Sequence, residues 1–268
     1  MRITPPLKWH GGKHYLAARI IEKFAPHVHY VEPFAGGLSV LLAKNPDGVS
    51  EVVNDLNGDL ANFWCTLQSA DAFRDFCRVV QAVPFSESEF AFAKAATVFD
   101  TDTDRAVNFF VACRQSLAGR MQSFTGITKT RTRRGMNNEV SAWLSAVEGL
   151  PLVHARLKRV LILNRPALEV VRGHDGPQVL QYLDPPYIHA SRATTGEYAH
   201  EMTDADHREL LATITDPAIK GKFALSGYDN PLYAERLASW NRHEFEIANH
   251  SAGGASKRRM VEVLWTNY

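Results

Sequence analysis

Val28-His29-Tyr30-Val31-Glu32, then Pro33-Phe34-Ala35-Gly36-Gly37, then Glu51-Val52-Val53-Asn54-Asp55 set the architecture of this chain. Val28 to Glu32 reads as a strand. Phe34-Ala35-Gly36-Gly37 turns the chain into a helix carrying Leu38, Val40, Leu41 and Leu42. Glycines at such a turn permit a tight bend and let a ligand approach the backbone. Glu51 to Asp55 is a second strand, and it ends in an acid. Strand, glycine loop, helix, strand and acid, in that order, begin a doubly wound α/β sheet.

Upstream, Leu7-Lys8-Trp9-His10-Gly11-Gly12-Lys13 is a loop, followed by a helix with Leu16, Ile20, Ile21 and Phe24 on its apolar side. Downstream, over residues 57–150, helical spacing replaces the strand signals: Leu60, Phe63, Trp64, Leu67; Phe73, Phe76, Val79, Val80; Val107, Phe109, Phe110, Val111. Strands return at Val160–Leu163, Val179–Leu183, Lys222–Ser226 and Val261–Trp265, and Thr203 is placed to cap a helix through Leu210-Leu211. The expected organisation is therefore an α/β domain from residues 1–56 and 151–268, interrupted by a mostly helical insertion at 57–150.

A chain of 268 residues with 45% hydrophobic and 22% charged content can bury a full core as an ordinary soluble globular protein. Its net charge of +1 means that any polyanion partner must be met by a local basic patch. One candidate is the stretch Arg114 to Arg134, which holds Arg114, Arg120, Lys129, Arg131, Arg133 and Arg134 and no acid, with Gln122 and several Ser and Thr between them. Such residues suit phosphate and base-edge contacts. Lys257-Arg258-Arg259 is a second candidate. Cys65, Cys77 and Cys113 have no CxxC spacing, so neither a disulfide framework nor a zinc site is expected, and no metal site of any kind. Three free thiols fit a reducing cytoplasm. No apolar run approaches membrane-spanning length, Met1 to Pro6 does not read as a signal peptide, and no obligatory protein partner is evident.

Two constellations carry chemistry. Asp55 lies roughly twenty residues beyond the glycine loop, where an acid that binds ribose hydroxyls belongs. The full GxGxxG fingerprint is absent, and Glu32 would crowd a pyrophosphate but suits a sulfonium or amino group. Trp9 can offer a cation–π face to such a cation, and Lys13 can pair with a carboxylate. The alternative is that Trp9 is core and Lys13 belongs to the first turn of a surface helix. The second constellation is Asp184-Pro185-Pro186-Tyr187, delivered into a loop by the strand Val179 to Leu183. The exocyclic amine of a planar base is a poor nucleophile, because its lone pair is delocalised into the ring. A carboxylate and a neighbouring backbone carbonyl can accept both amine hydrogens and localise that lone pair. Two prolines stiffen the loop, and an aromatic ring can stack on a base taken out of its helix.

Together these segments resemble the DNA adenine methylase (Dam-type) family of S-adenosylmethionine-dependent methyltransferases. The resemblance rests on Lys8-Trp9-His10-Gly11-Gly12-Lys13, Val31 to Gly37, Asn54-Asp55, Tyr182 to Tyr187, Phe223 to Tyr228 and Glu262 to Tyr268. Their order matches the family's α-type arrangement, with target recognition in the middle. The resemblance implies a Rossmann-like methyltransferase sheet with an inserted, mostly helical recognition domain. It further implies S-adenosylmethionine bound by Trp9, Lys13 and Asp55, with Phe34, Ala35, Gly36 and Gly37 lining its pocket; Glu32 is expected at the same cofactor on its charge alone. Asp184 would touch both cofactor and target amine, Pro185 and Pro186 would shape the loop, and Tyr187 would stack on a flipped adenine in double-stranded DNA. Two departures stand out: Pro166 occupies the segment where the family often has an acid at the cofactor adenine, leaving Glu169, Asp175 or backbone groups alone to take its place, and His10 replaces a small residue. The same chemistry would serve cytosine N4 or adenine in RNA. The alternatives are an inactive DNA-binding relative and a dinucleotide oxidoreductase.

Overall fold

The computed structural model describes residues 3–125, 130–188, 201–247 and 260–268. Lys129 and Lys257-Arg258-Arg259 lie outside them. In chain order the helices are α1 (Ala17–Ile21), α2 (Ser39–Ala43), α3 (Gly58–Gln68), α4 (Ala70–Ala82), α5 (Glu87–Ala95), α6 (Asp102–Gln115), α7 (Asn138–Leu157), α8 (Ala167–Gly173), α9 (Asp204–Ile214) and α10 (Pro231–Arg236). The strands are β1 (His29–Glu32), β2 (Ser50–Asn54), β3 (Thr132–Arg133), β4 (Met136–Asn137), β5 (Val160–Leu163), β6 (Val179–Leu183), β7 (Lys222–Tyr228), β8 (Asn241–Ile247) and β9 (Met260–Thr266). Two compact units result: Met1–Ala18 with Gly36–Asn45 and Asn57–Asn164, and Arg19–Ala35 with Pro46–Leu56 and Arg165–Tyr268. The N-terminal loop and the glycines at 36 and 37 thus group with the helical segment.

The second unit is built on a sheet in which β2, β1, β6 and β7 run parallel, followed by β9 antiparallel to β7 and β8 antiparallel to β9. Parallel strands are covered on both faces, so they read as nearly continuous apolar runs. Tyr30 and Val31 of β1, Val52 and Val53 of β2, Leu180 and Leu183 of β6 and Phe223 to Leu225 of β7 are all buried. A core of Val171, Leu183, Leu210, Leu211, Phe223, Leu225, Tyr233, Val263 and Trp265 packs α8, α9 and α10 on the sheet. Thr203 and Asp206 form a reciprocal capping box at the start of α9, which satisfies amides that the first turn leaves unpaired. Strand β8 was not marked by the sequence pattern. Its Arg242, His243, Glu244 and Glu246 are those of a sheet edge that charge protects from further pairing.

The first unit packs α3, α4, α6 and α7 around Phe63, Phe76, Phe110 and Trp143, with Phe63 and Phe110 stacked at 5.8 Å and 7°. Four of the described helices start where a side chain satisfies otherwise unpaired amides: Asn57 for α3, Ser86 for α5, Thr101 for α6 and Asn137 for α7.

A histidine pair lies in the second unit. His29 and His174 stack with ring centroids 5.2 Å apart, and Nε2 of His29 is 3.1 Å from Nδ1 of His174. Burial, and then the neighbouring charge of His174, lowers the pKa of His29; burial, and then Arg165, lowers that of His174. The folded protein therefore holds both rings neutral more firmly than the unfolded chain does. Their contribution to stability is complete above the ordinary histidine value of 6.5 and is lost as pH falls through the lowered folded values. The melting temperature is expected to fall on acidification below that value, and less steeply in a His29→Gln/His174→Gln double variant. Parallel pH profiles of the two proteins would disprove the assignment.

Candidate active site

The parallel strands of the second unit end on one edge of the sheet, where ligands bind in doubly wound folds. Glu32 ends β1, Asn54 ends β2 and Leu183 ends β6, just before Asp184. Glu32 is 2% exposed and its carboxylate accepts a hydrogen bond from the Tyr30 hydroxyl at 2.7 Å. Residues i and i+2 of a strand share a face, so donor and acceptor project together. Asn54 joins three segments. Its Nδ2 donates to the carbonyls of Pro33 and Arg165 at 3.0 Å each, and its Oδ1 accepts from the Arg165 amide at 2.9 Å. Its own carbonyl accepts from the Ala35 amide at 2.8 Å. Asn54 thereby fixes the exit of β1 and the approach to α8, and places Asp55, half-buried, at the same edge. Phe34 packs against the core of this unit.

The Asp184-Pro185-Pro186-Tyr187 loop leaves this edge. Asp184 is half-buried, while Pro185 and Tyr187 are buried. The Tyr187 hydroxyl reaches both Asp184 Oδ1, at 3.2 Å, and the buried Glu262 carboxylate of β9. The Tyr187 ring meets Tyr228 edge-on at 4.8 Å and 75°. Behind the loop the Tyr182 hydroxyl bonds Ser226 Oγ at 2.9 Å. Burial first, and then the nearby carboxylates, pushes the phenols of Tyr30, Tyr182 and Tyr187 well above their usual range, so all three remain protonated donors. The result is a row of carboxylates (Glu32, Asp184, Glu262) with three neutral phenols among them.

Pro166 precedes α8, whose first turn carries Glu169. The Asp175 carboxylate accepts from the amides of Lys220 and Gly221, ahead of β7, and so belongs to the opposite end of that strand. Of these two acids, Glu169 is the one on the α8 side of the Asn54 junction.

In the first unit, Trp9 lies on the glycine loop. A Cβ on Gly36 would fall 2.7 Å from the indole Nε1, and one on Gly37 2.6 Å from Trp9 Cβ. Gly36 also has a φ of +48°, so it is fixed by conformation as well as by space. The Gly36 carbonyl accepts from Trp64 Nε1 at 3.2 Å. Lys13 is buried, not on a surface helix, and donates to the Gly11 carbonyl at 2.8 Å. His10 is half-buried in the same loop.

The basic stretch divides. Arg120 and Gln122 are exposed on a loop closed by the Ser116–Phe124 bridge, and Arg131 and Arg133 are exposed on or beside the β3–β4 hairpin. Arg134 and Gly135 make its turn with φ of +57° and +72°, the conformation two-residue hairpins favour. Arg134 is also exposed, and is tied to Glu148 of α7 by two bonds of 3.0 Å. Arg114 is a correction. It is 8% exposed and donates to the Ala142 carbonyl at 2.5 Å, because it lies on the inward face of α6. A helix-borne arginine beside apolar residues can bury its stem, and that periodicity counts for more than its place in a charge run. Asn54, Tyr228 and Glu262 lie beside the residues of the sheet edge; the sequence places all three in family-like segments but gives none of them a role. Glu262 had a signal, a lone acid in an otherwise apolar strand. Burial pushes the thiol of Cys113 up to about 12 and that of Cys77 to about 11, which makes both poor nucleophiles.

A parallel sheet with an antiparallel ending, a glycine loop after its first strand and acids at the strand ends defines a Rossmann-like methyltransferase fold. A family model for D12 class N6 adenine-specific DNA methyltransferases matches residues 9–250, and the chain belongs to that family: it is a DNA adenine methyltransferase. No curated protein matches the chain in a sequence search. Among the described residues no helix is long and apolar enough to cross a membrane, and no cluster of His, Cys, Asp or Glu could hold a metal.

Proposed function

We propose that this protein transfers the methyl group of S-adenosylmethionine to the N6 amine of an adenine flipped out of a short sequence in double-stranded DNA. The observation that carries this reading is the Asp184 carboxylate at the end of β6, on a loop stiffened by Pro185 and Pro186 and beside Tyr187. The residue set fits a cationic cofactor: Glu32 and Asp184 are acids at the sheet edge, and the phenols of Tyr30 and Tyr187 beside them are neutral. Bound there, S-adenosylmethionine supplies an electrophilic methyl group. Glu32, Phe34, Ala35 and Asp55 are assigned to hold it, and Trp9, Lys13, Gly36 and Gly37 are assigned to it from the family resemblance. Asp184 and the Pro185 carbonyl accept the two amine hydrogens, which localises the nitrogen lone pair, and Asp184 receives the hydrogen that the amine gives up. Tyr187 supports the base face. Acceptors fixed in advance act where charge develops, and positioning supplies the rest. The test is methylation of unmethylated plasmid with labelled cofactor, read by nucleoside analysis. N6-methyladenine at one short motif supports the reading; methylcytosine, or no transfer to DNA, rejects it.

DNA binding is assigned to Arg120, Gln122, Arg131, Arg133 and Arg134, with Lys129 retained from the sequence. Changing Arg131 and Arg133 to Gln is expected to weaken binding at every sequence and to flatten the salt dependence by about 0.9 for each phosphate no longer neutralised. Arg114→Met should leave that slope unchanged, since the side chain is inside. Fluorescence anisotropy across a salt series checks both. An unchanged slope in the double variant, or a changed one in Arg114→Met, contradicts the assignment.

A further inference from the structure

Glu262 is a carboxylate in the middle of β9, 3% exposed, flanked by Val261 and Val263. It pairs across the strands with Tyr228 of β7. Both members of that pair touch Tyr187: Tyr228 through its ring edge, Glu262 through the phenol. A phenol has a single hydrogen to donate. Two carboxylate oxygens, Glu262 Oε1 and Asp184 Oδ1, lie within its reach, so they compete for that one hydrogen. We propose that Glu262 is a positioning residue for methyl transfer. It draws the Tyr187 hydrogen onto itself, keeps that hydroxyl from occupying Asp184, and fixes the plane of the Tyr187 ring against Tyr228. The inference rests on the role given to Asp184 above. A buried carboxylate is costly to place in a strand interior, and its bond to a phenol that also touches the reacting carboxylate gives that burial a use.

Without an acceptor at position 262 the Tyr187 hydrogen turns to Asp184 and competes with the target amine, so removing the hydroxyl as well should restore activity. Single-turnover methylation at saturating cofactor and DNA is measured for Glu262→Leu, Tyr187→Phe and the double variant, with cofactor affinity and melting temperature alongside. Glu262→Leu is expected to slow the methyl-transfer step by about 30-fold or more with cofactor affinity preserved, Tyr187→Phe by about threefold, and the double variant to recover about fivefold over Glu262→Leu. A double variant slower than Glu262→Leu, or a Glu262→Leu rate equal to the parent's, overturns the proposal. Should Glu262→Leu not fold, Glu262→Val, which also lacks an acceptor and suits a strand, carries the same cycle: its cost must shrink in the Tyr187→Phe background, and an equal cost in both backgrounds overturns the proposal. Asp184→Ala is the control. If it remains active, the reading of the site itself fails; if it is inactive and the cycle is additive, only the role of Glu262 fails.

Discussion

Asp184→Ala is expected to abolish methyl transfer, by about 10³-fold or more in the single-turnover rate, while the protein remains folded. Asp184 is half-buried and stands outside the apolar core of its unit, so truncation leaves no cavity among Leu183, Leu225 and Trp265. What it removes is one acceptor on a loop that Pro185 and Pro186 already hold extended. An amine whose lone pair stays in the ring has little nucleophilicity, and nothing else in the loop except a backbone carbonyl can draw that pair out. Melting temperature should move by no more than about 4 °C, the shift that 1 kcal/mol produces in a protein of this size class. Asp184→Asn separates charge from acceptance. It keeps one carbonyl oxygen and should retain more activity than Asp184→Ala. A normal rate in Asp184→Ala would end the proposed mechanism; a loss of rate accompanied by unfolding would assign the residue to the fold instead.

The parallel strands were legible because they alternate with glycine and acid punctuation, and β5, β6, β7 and β9 lie within about two residues of their sequence-derived bounds. The edge strand β8 was not, since a charged edge resembles a polar loop in sequence. Acids at strand ends could be named individually, as Glu32, Asp55 and Asp184 were. The junction made by Asn54 could not, because its partners at Pro33 and Arg165 are 21 and 111 residues away. Arg114 shows the converse error: a run of like charges says nothing of which members face inward, and Arg114 lies on the inward face of α6 while Arg120 lies on the loop beyond that helix. The link between Glu262 and Tyr187 spans 75 residues and two strands, and becomes visible only once the order β7-β9 is known.

Gly119→Ala should be the most damaging glycine substitution in the first unit, and Gly135→Ala supplies its measure. The two have nearly the same backbone conformation, φ of +74° and +72°. A Cβ at position 135 meets nothing within 4 Å, so the cost there is conformational alone, about 1 kcal/mol. A Cβ at position 119 would lie 1.6 Å from the Lys8 carbonyl oxygen, a backbone atom that cannot rotate away. That carbonyl also accepts from Cys113 Sγ at 3.4 Å, and the Lys8 ammonium holds Glu139 of α7 at 2.5 Å. Relief of the clash must therefore move Lys8 against two restraints, and Trp9, its neighbour in sequence, with it. Overpacking against a fixed group adds about 1–3 kcal/mol to the conformational cost. Gly119→Ala is thus expected to lose about 2–4 kcal/mol by urea denaturation, and to bind S-adenosylmethionine at least about tenfold more weakly, as 1.4 kcal/mol at the Trp9 loop would give. Equal stability of the two alanine variants would show that the Lys8 loop yields freely. Reduced stability with unchanged cofactor affinity would show that Trp9 is packing for the glycine loop and no part of the cofactor's site.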